Sequence, residues 1–200
     1  MKLLDGLKKD FTTTTFVLIP VVIAINIILG EIALLLKLPV YLDGAGTIFI
    51  SVICGPWVGA LTGALTNIIW GITIDPNMLP WFPVAIFIGL VAGFMARWGW
   101  FKKWWKVIVT GFVISIFTTI VAAPIAVYLY GGITTSGSSF VTAFLLQTGQ
   151  NLWAAVLTTS ALTDPLDKIV SSLLAFAVLL AMSPRLLARF PYGENAGKKA

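Results

Sequence analysis

A few polar side chains in this largely apolar chain could bind or react with a small molecule. Asp43, Asp75 and the adjacent pair Asp167-Lys168 could serve as acids, bases or ion partners. Asn67 lies within an apolar stretch, where an amide must find a partner. Carboxylates and amides beside tryptophan rings are typical of a pocket that holds a small heterocyclic ligand.

Several kinds of chemistry are excluded by the residues that the chain lacks. It contains no histidine and a single cysteine, Cys54, so the histidine-dependent catalytic triads have no base. A zinc site is excluded for the same shortage of ligands, and we expect neither a metal nor a cofactor. Because no phosphate-binding Walker loop is present, this chain does not itself consume ATP.

Composition indicates a single integral membrane domain over residues 1–200. Of the 200 residues, 58% are hydrophobic and only 10% are charged, too few to cover a water-soluble fold. The net charge of +5 does not indicate nucleic-acid binding, because the basic residues border apolar segments. Basic residues in that position orient a protein in the bilayer.

We predict an all-α polytopic membrane protein with six transmembrane helices and a further outer-leaflet or re-entrant helix at 140–162. The spans lie at about 12–36, 43–55, 56–73, 82–97, 107–130 and 165–183. With six crossings, all of the 13 lysines and arginines except Lys37 and Lys168 share one side with both termini. The positive-inside rule makes that side cytoplasmic. Reading 44–74 as one pass would place the basic loop at 97–106 outside.

Two local signals indicate how the helices begin and pack. Asp164-Pro165 predicts a helix start, since aspartate caps and proline fits the first turn. Small residues recur every fourth position at Gly55, Gly59 and Gly63, followed by Asn67. That spacing lets helix backbones approach closely in a membrane, so Asn67 should point into protein.

The six-span topology brings the unusual polar and aromatic side chains to the outer side, where we predict a ligand site. Each has a structural alternative: Asp164 as a helix cap or an ion pair with Lys168, Asp75 as a helix stop, Trp70 and Trp81 as interfacial residues. The predicted binding residues are Tyr41, Asp43, Asn67, Trp70, Asp75, Trp81, Gln147, Asn151, Trp153, Asp164 and Lys168.

The chain resembles the S components of energy-coupling factor (ECF) transporters, which are small six-helix membrane proteins. The resemblance is carried by Leu42-Asp43-Gly44-Ala45-Gly46-Thr47, by the stretch from Gly55-Pro56 to Gly63, and by Asp167-Lys168. It implies a protein of a bacterial or archaeal cell membrane that captures a vitamin-like micronutrient from outside. It also implies two kinds of partner: a transmembrane T component and two cytoplasmic ATPases.

The resemblance implies a contact with the T component through small residues on the first helix. Ala24 and Gly30 each begin the nearest, imperfect matches to the family's alanine-xxx-alanine pattern. The leading hypothesis is therefore a substrate-binding subunit of an ATP-driven importer for a vitamin-like or nucleobase-like compound. A membrane-embedded enzyme using outer-side carboxylates and a stand-alone secondary transporter remain the alternatives.

Overall fold

The computed structural model describes residues 9–196, which form helices joined by short connections without any β-strand. Three short 3₁₀ helices lie between or after the α-helices, at Pro76–Trp81, Trp100–Lys102 and Gly193–Ala196. The α-helices are α1 (Thr13–Leu35), α2 (Ala45–Cys54), α3 (Pro56–Thr73), α4 (Phe82–Arg97), α5 (Trp104–Tyr130), α6 (Ser139–Gln147), α7 (Leu152–Ala181) and α8 (Pro184–Leu187).

A buried amide joins the first three helices. Asn26 of α1 donates from Nδ2 to Thr47 Oγ1 on α2 at 2.9 Å and to Thr66 Oγ1 on α3 at 3.2 Å. Its Oδ1 accepts from the backbone N–H of Gly46 at 2.8 Å. Both amide hydrogens and one lone pair of Oδ1 are thus used in this fully buried side chain. Asn26 therefore fixes the register of α1 against both neighbours.

Glycines bring α3 and α4 together at backbone distance. A Cβ added to Gly89 of α4 would collide with the backbone of Gly59 and Ala60 on α3. A Cβ on Gly63 would lie 2.6 Å from the Ala85 carbonyl oxygen. The two helices run antiparallel, because the later contact on α3 meets the earlier residue on α4. Close backbone approach of this kind is how membrane helices associate without a hydrophobic drive.

The predicted helix start at Asp164 is wrong. Helix α7 begins at Leu152 and continues through Pro165 for 30 residues. Its N-cap is Asn151, whose Oδ1 accepts from Ala154 N at 2.8 Å. The Asp164 carboxylate instead accepts from Thr119 Oγ1 of α5 at 2.7 Å, so a contact between helices replaces the cap.

The single outer helix predicted at 140–162 is likewise corrected. That region contains α6, a bend, and the first part of α7. Gly149 in the bend has a φ of +89°, a conformation that interrupts a helix and favours glycine.

Within residues 9–196, three segments are long and apolar enough to cross a bilayer: Thr13–Leu35, Pro76–Arg97 and Trp104–Tyr130. Helix α2, with 10 residues, is much shorter than a bilayer-spanning helix. Large apolar side chains lie on the outer surface, as on α1, where Val17 is 70% exposed. An apolar exterior of this kind suits a lipid environment, and six crossings remain a prediction.

A polar cluster closes the end of the bundle where α3 begins, which we call the tail end. Arg97 Nη2 donates to Asp10 Oδ1 and to the Tyr192 hydroxyl, both at 2.7 Å, and the Tyr192 hydroxyl donates to Asp10 Oδ1 at 2.8 Å. The Trp57 N–H approaches Asp10 Oδ2 at 3.3 Å. The C-terminal segment is held there by Tyr192 N donating to the Ile53 carbonyl at 2.9 Å.

This cluster predicts a loss of stability in alkaline solution. Burial, with a smaller contribution from the adjacent Asp10 carboxylate, raises the pKa of Tyr192 from 10.0 to about 12. A pKa raised by folding contributes stability that is complete below pH 10 and is lost as the pH rises towards 12. Between these values Tm should therefore fall less steeply for Tyr192→Phe than for the wild type, with the exposed Tyr128→Phe as control. Parallel Tm curves would contradict the prediction.

Candidate functional site

A cavity opens at the opposite end of the bundle, where α3 ends, which we call the cavity end. It encloses about 1020 Å³ of empty space, counting its open mouth. Its walls come from α1, α3, α4, α5, α6 and α7, from the 3₁₀ helix at Pro76–Trp81, from the loop before α2 and from the segment at 132–139. Among the predicted binding residues, those that line it are Tyr41, Asp43, Asn67, Trp70, Trp81, Asp164 and Lys168.

Asp167 holds the loop that forms one wall of the cavity. Its Oδ1 accepts from the backbone N–H groups of Tyr41 at 2.7 Å and Leu42 at 2.9 Å. Leu42 has a φ of +60°, a left-handed conformation that costs energy for a residue with a Cβ. The two hydrogen bonds offset that cost. Asp167 is therefore a structural support behind the cavity.

Lys168 faces the cavity but is already paired. Its Nζ lies 2.5 Å from Asp167 Oδ2, and both side chains are buried. Asp43 and Asp164 are close enough for their charges to act on the same ammonium group. Three carboxylates thus lie near one lysine, and two of them, Asp43 and Asp164, line the cavity.

Asn67 lines the cavity and has an unused hydrogen-bond acceptor. Its side chain is 2% exposed, and within the described part of the chain no partner reaches Oδ1. Nδ2 has a long contact of 3.5 Å with the Gly63 carbonyl. Buried polar atoms in native proteins almost always have a partner. The unused acceptor of this cavity-lining residue is therefore a candidate partner for a ligand donor.

Two tryptophans supply the aromatic part of the wall. Trp70 is 1% exposed and donates from Nε1 to Glu31 Oε1 at 2.7 Å, which explains why Glu31 is tolerated near the end of α1. Trp81 stacks on Tyr130 with ring centroids 5.5 Å apart. The contacts of Trp70 hold its indole in one orientation, so the interfacial alternative does not account for its position.

Hydroxyl groups form a part of the wall that the sequence did not reveal. The Tyr41 hydroxyl and Ser138 Oγ share a hydrogen bond at 2.8 Å, and Ser138 and Ser136 share another at 2.7 Å. On the helices, Thr142 donates to Thr159 at 2.9 Å. The only sequence signal was the polar composition of the segment at 131–139, which is equally typical of a surface loop.

Four of the predicted binding residues lie outside the cavity wall. Asp75 caps the 3₁₀ helix at Pro76–Trp81 by accepting from Asn77 N at 3.0 Å. Asn151 caps α7, and Gln147 is exposed at the end of α6. Trp153 is 39% exposed and packs edge-on against Tyr128.

The glycines and alanine predicted to pack helices occupy different settings. Gly55 adopts a φ of +104° beside the Asp10 carboxylate, where a side chain would be strained. Gly30 faces the ring edge of Trp70. Ala24 is exposed on the outer surface of α1.

Comparison with known proteins assigns the family. Residues 14–179 match the family model described as ECF transporter, substrate-specific component. No curated protein and no solved structure gives a match. Members of the matched family are substrate-binding transporter subunits and not enzymes. Because the match covers most of the chain and the helices are apolar, the protein is a membrane-embedded member of the substrate-specific components of ECF transporters.

Proposed function

We propose that this protein captures a small vitamin-like or nucleobase-like micronutrient from outside the cell for ATP-driven uptake. The cavity carries the proposal, since it combines tryptophan rings with two carboxylates and an unpartnered amide oxygen. A mostly apolar pocket with a few convergent polar groups is the usual design for a small ligand. The binding residues we propose are the seven cavity-lining residues named above.

The proposed importer includes a T component and two cytoplasmic ATPases. This chain has no Walker loop, so the energy for uptake would come from those partners. The proposed topology has six crossings with both termini in the cytoplasm. The tail end then faces the cytoplasm and the cavity faces outside, which matches the distribution of basic residues.

Native mass spectrometry of the protein, purified gently from its own cells, tests the proposal directly. We expect a non-covalently bound small heterocycle and complexes that contain a T component and ATPase subunits. Reconstitution with those subunits should then give uptake of the same compound that stops when ATP is withheld. Uptake by this chain alone in vesicles would support a secondary transporter instead. Chemical conversion of the bound compound would support an enzyme.

A further inference from the structure

The charged groups at the cavity are unevenly matched. Lys168 forms its direct ion pair with Asp167, which points away from the cavity wall towards the backbone of the loop at 41–42. Asp43 and Asp164 lie close enough to act on the same ammonium group, but neither is its direct partner. Lys37, the other lysine at this end, is exposed and donates to the Thr135 carbonyl at 3.3 Å. The cavity wall therefore carries more acidic side chains than basic ones.

The hydrogen bonds that Asp164 receives supply no positive charge. Thr119 donates to Oδ2 at 2.7 Å, and Ser160 stands close enough to help. Both are neutral hydroxyls, and Asp164 is 8% exposed. A buried carboxylate that receives only neutral hydrogen bonds would still be stabilised by a positive charge beside it.

Asn67 independently indicates that the ligand carries hydrogen-bond donors. Its buried Oδ1 has no partner among the described residues, and it can only accept a hydrogen bond. The ligand group that meets it must be a donor, an N–H or an O–H. Together, the two carboxylates and this oxygen offer acceptors where an anionic ligand would need donors.

The aromatic rings suit a cation as well. The faces of Trp and Tyr attract positive charge through their quadrupoles, and Trp81 is held by stacking on Tyr130. Trp70 is oriented by a carboxylate, Glu31, which adds to the negative potential at this end.

We propose that the ligand is a nitrogen base bound as a cation, with its positive charge beside Asp43 and Asp164 and an N–H donor on Asn67 Oδ1. This inference rests on the proposed function and narrows its substrate class. It selects amino-substituted or quaternised heterocycles over carboxylate-bearing micronutrients, which would meet the excess of carboxylates.

Ligand-induced stabilisation tests the charge of the substrate. The probe is the small-molecule filtrate of yeast extract, separated at pH 7 into the pool retained by a strong cation exchanger, the pool retained by an anion exchanger, and the neutral pool. We expect only the cationic pool to raise Tm of the intact protein in detergent. Stabilisation by the anionic or neutral pool alone would overturn the inference and leave the substrate-binding role standing.

Matched variants test the residues. Asp164→Asn keeps the acceptor for Thr119 but removes the charge. About tenfold more of the cationic pool should therefore be needed to reach half of the maximal rise in Tm. Asp75→Asn makes the same change outside the cavity and should respond like the wild type. An unchanged response of Asp164→Asn, with an unaltered Tm in the absence of the pool, would contradict the inference. If no pool stabilises the protein and native mass spectrometry detects no ligand, both the inference and the proposed function fail.

Discussion

Asp167→Ala is expected to lower the free energy of unfolding by about 3–5 kcal/mol, because it leaves the buried Lys168 ammonium without its direct partner. It also removes the acceptor of two backbone N–H groups, in a loop where Leu42 is already strained. In a protein of this size, Tm should fall by roughly 6–20 °C. Thermal unfolding in detergent, followed by tryptophan fluorescence, measures the change.

A second substitution separates the two causes. Asp167→Asn keeps an amide oxygen as the acceptor for the two backbone N–H groups and removes only the charge that pairs with Lys168. The difference in stability between Asp167→Asn and Asp167→Ala then belongs to the two backbone N–H groups of the loop. If Asp167→Asn is as stable as the wild type, the ion pair contributes little and the prediction is wrong. Asp75→Ala, which removes an exposed cap at the same end, should change Tm much less.

Much of the packing could be predicted from sequence because it depends on local spacing. Glycines four residues apart necessarily share one face of a helix, and in the structure Gly59 and Gly63 both meet α4. Asn67 continues that face and is buried, as expected of an amide on a packing stripe. All-helical structure follows from the long apolar segments in the same way.

The cavity was only partly predictable because it depends on contact between distant segments. Asp164-Pro165 has the local form of a helix start, yet Thr119, 45 residues earlier, supplies the partner of the carboxylate. Placing the start at Asp164 left the preceding residues as a separate segment. That segment then gave Asn151 and Trp153 a binding role, whereas the structure gives Asn151 a cap and places Trp153 beside Tyr128.

The hydroxyl groups of the wall escaped prediction for a different reason. Serine and threonine are common in helices, where their hydroxyls bond to the carbonyl four residues earlier, as Thr163 does with Thr159. Nothing in the sequence separates such residues from Thr142, which donates across to another helix. The tail-end cluster was missed likewise, since Asp10 and Tyr192 lie 182 residues apart.

Gly89→Ala should destabilise the protein by about 2–3 kcal/mol, although alanine is the better helix former. The added methyl group would collide with the backbone of Gly59 and Ala60, and a backbone cannot rotate out of the way as a side chain can. Helices α3 and α4 must therefore separate. Since Asn67 of α3 and Ile88 of α4 both line the cavity, ligand-induced stabilisation should weaken together with Tm.

Gly44→Ala is the matched control for this prediction. It adds the same methyl group at a buried glycine, but the nearest atom is Ile88 Cδ1 at 3.2 Å, the mobile end of a side chain. Its cost should stay below about 1 kcal/mol. Equal losses of Tm in the two variants would mean that α3 and α4 tolerate separation. A larger loss at Gly89, together with weaker ligand-induced stabilisation, would instead indicate that backbone contact between α3 and α4 sets the shape of the cavity, because Gly89 contacts α3 and itself forms no part of the cavity wall.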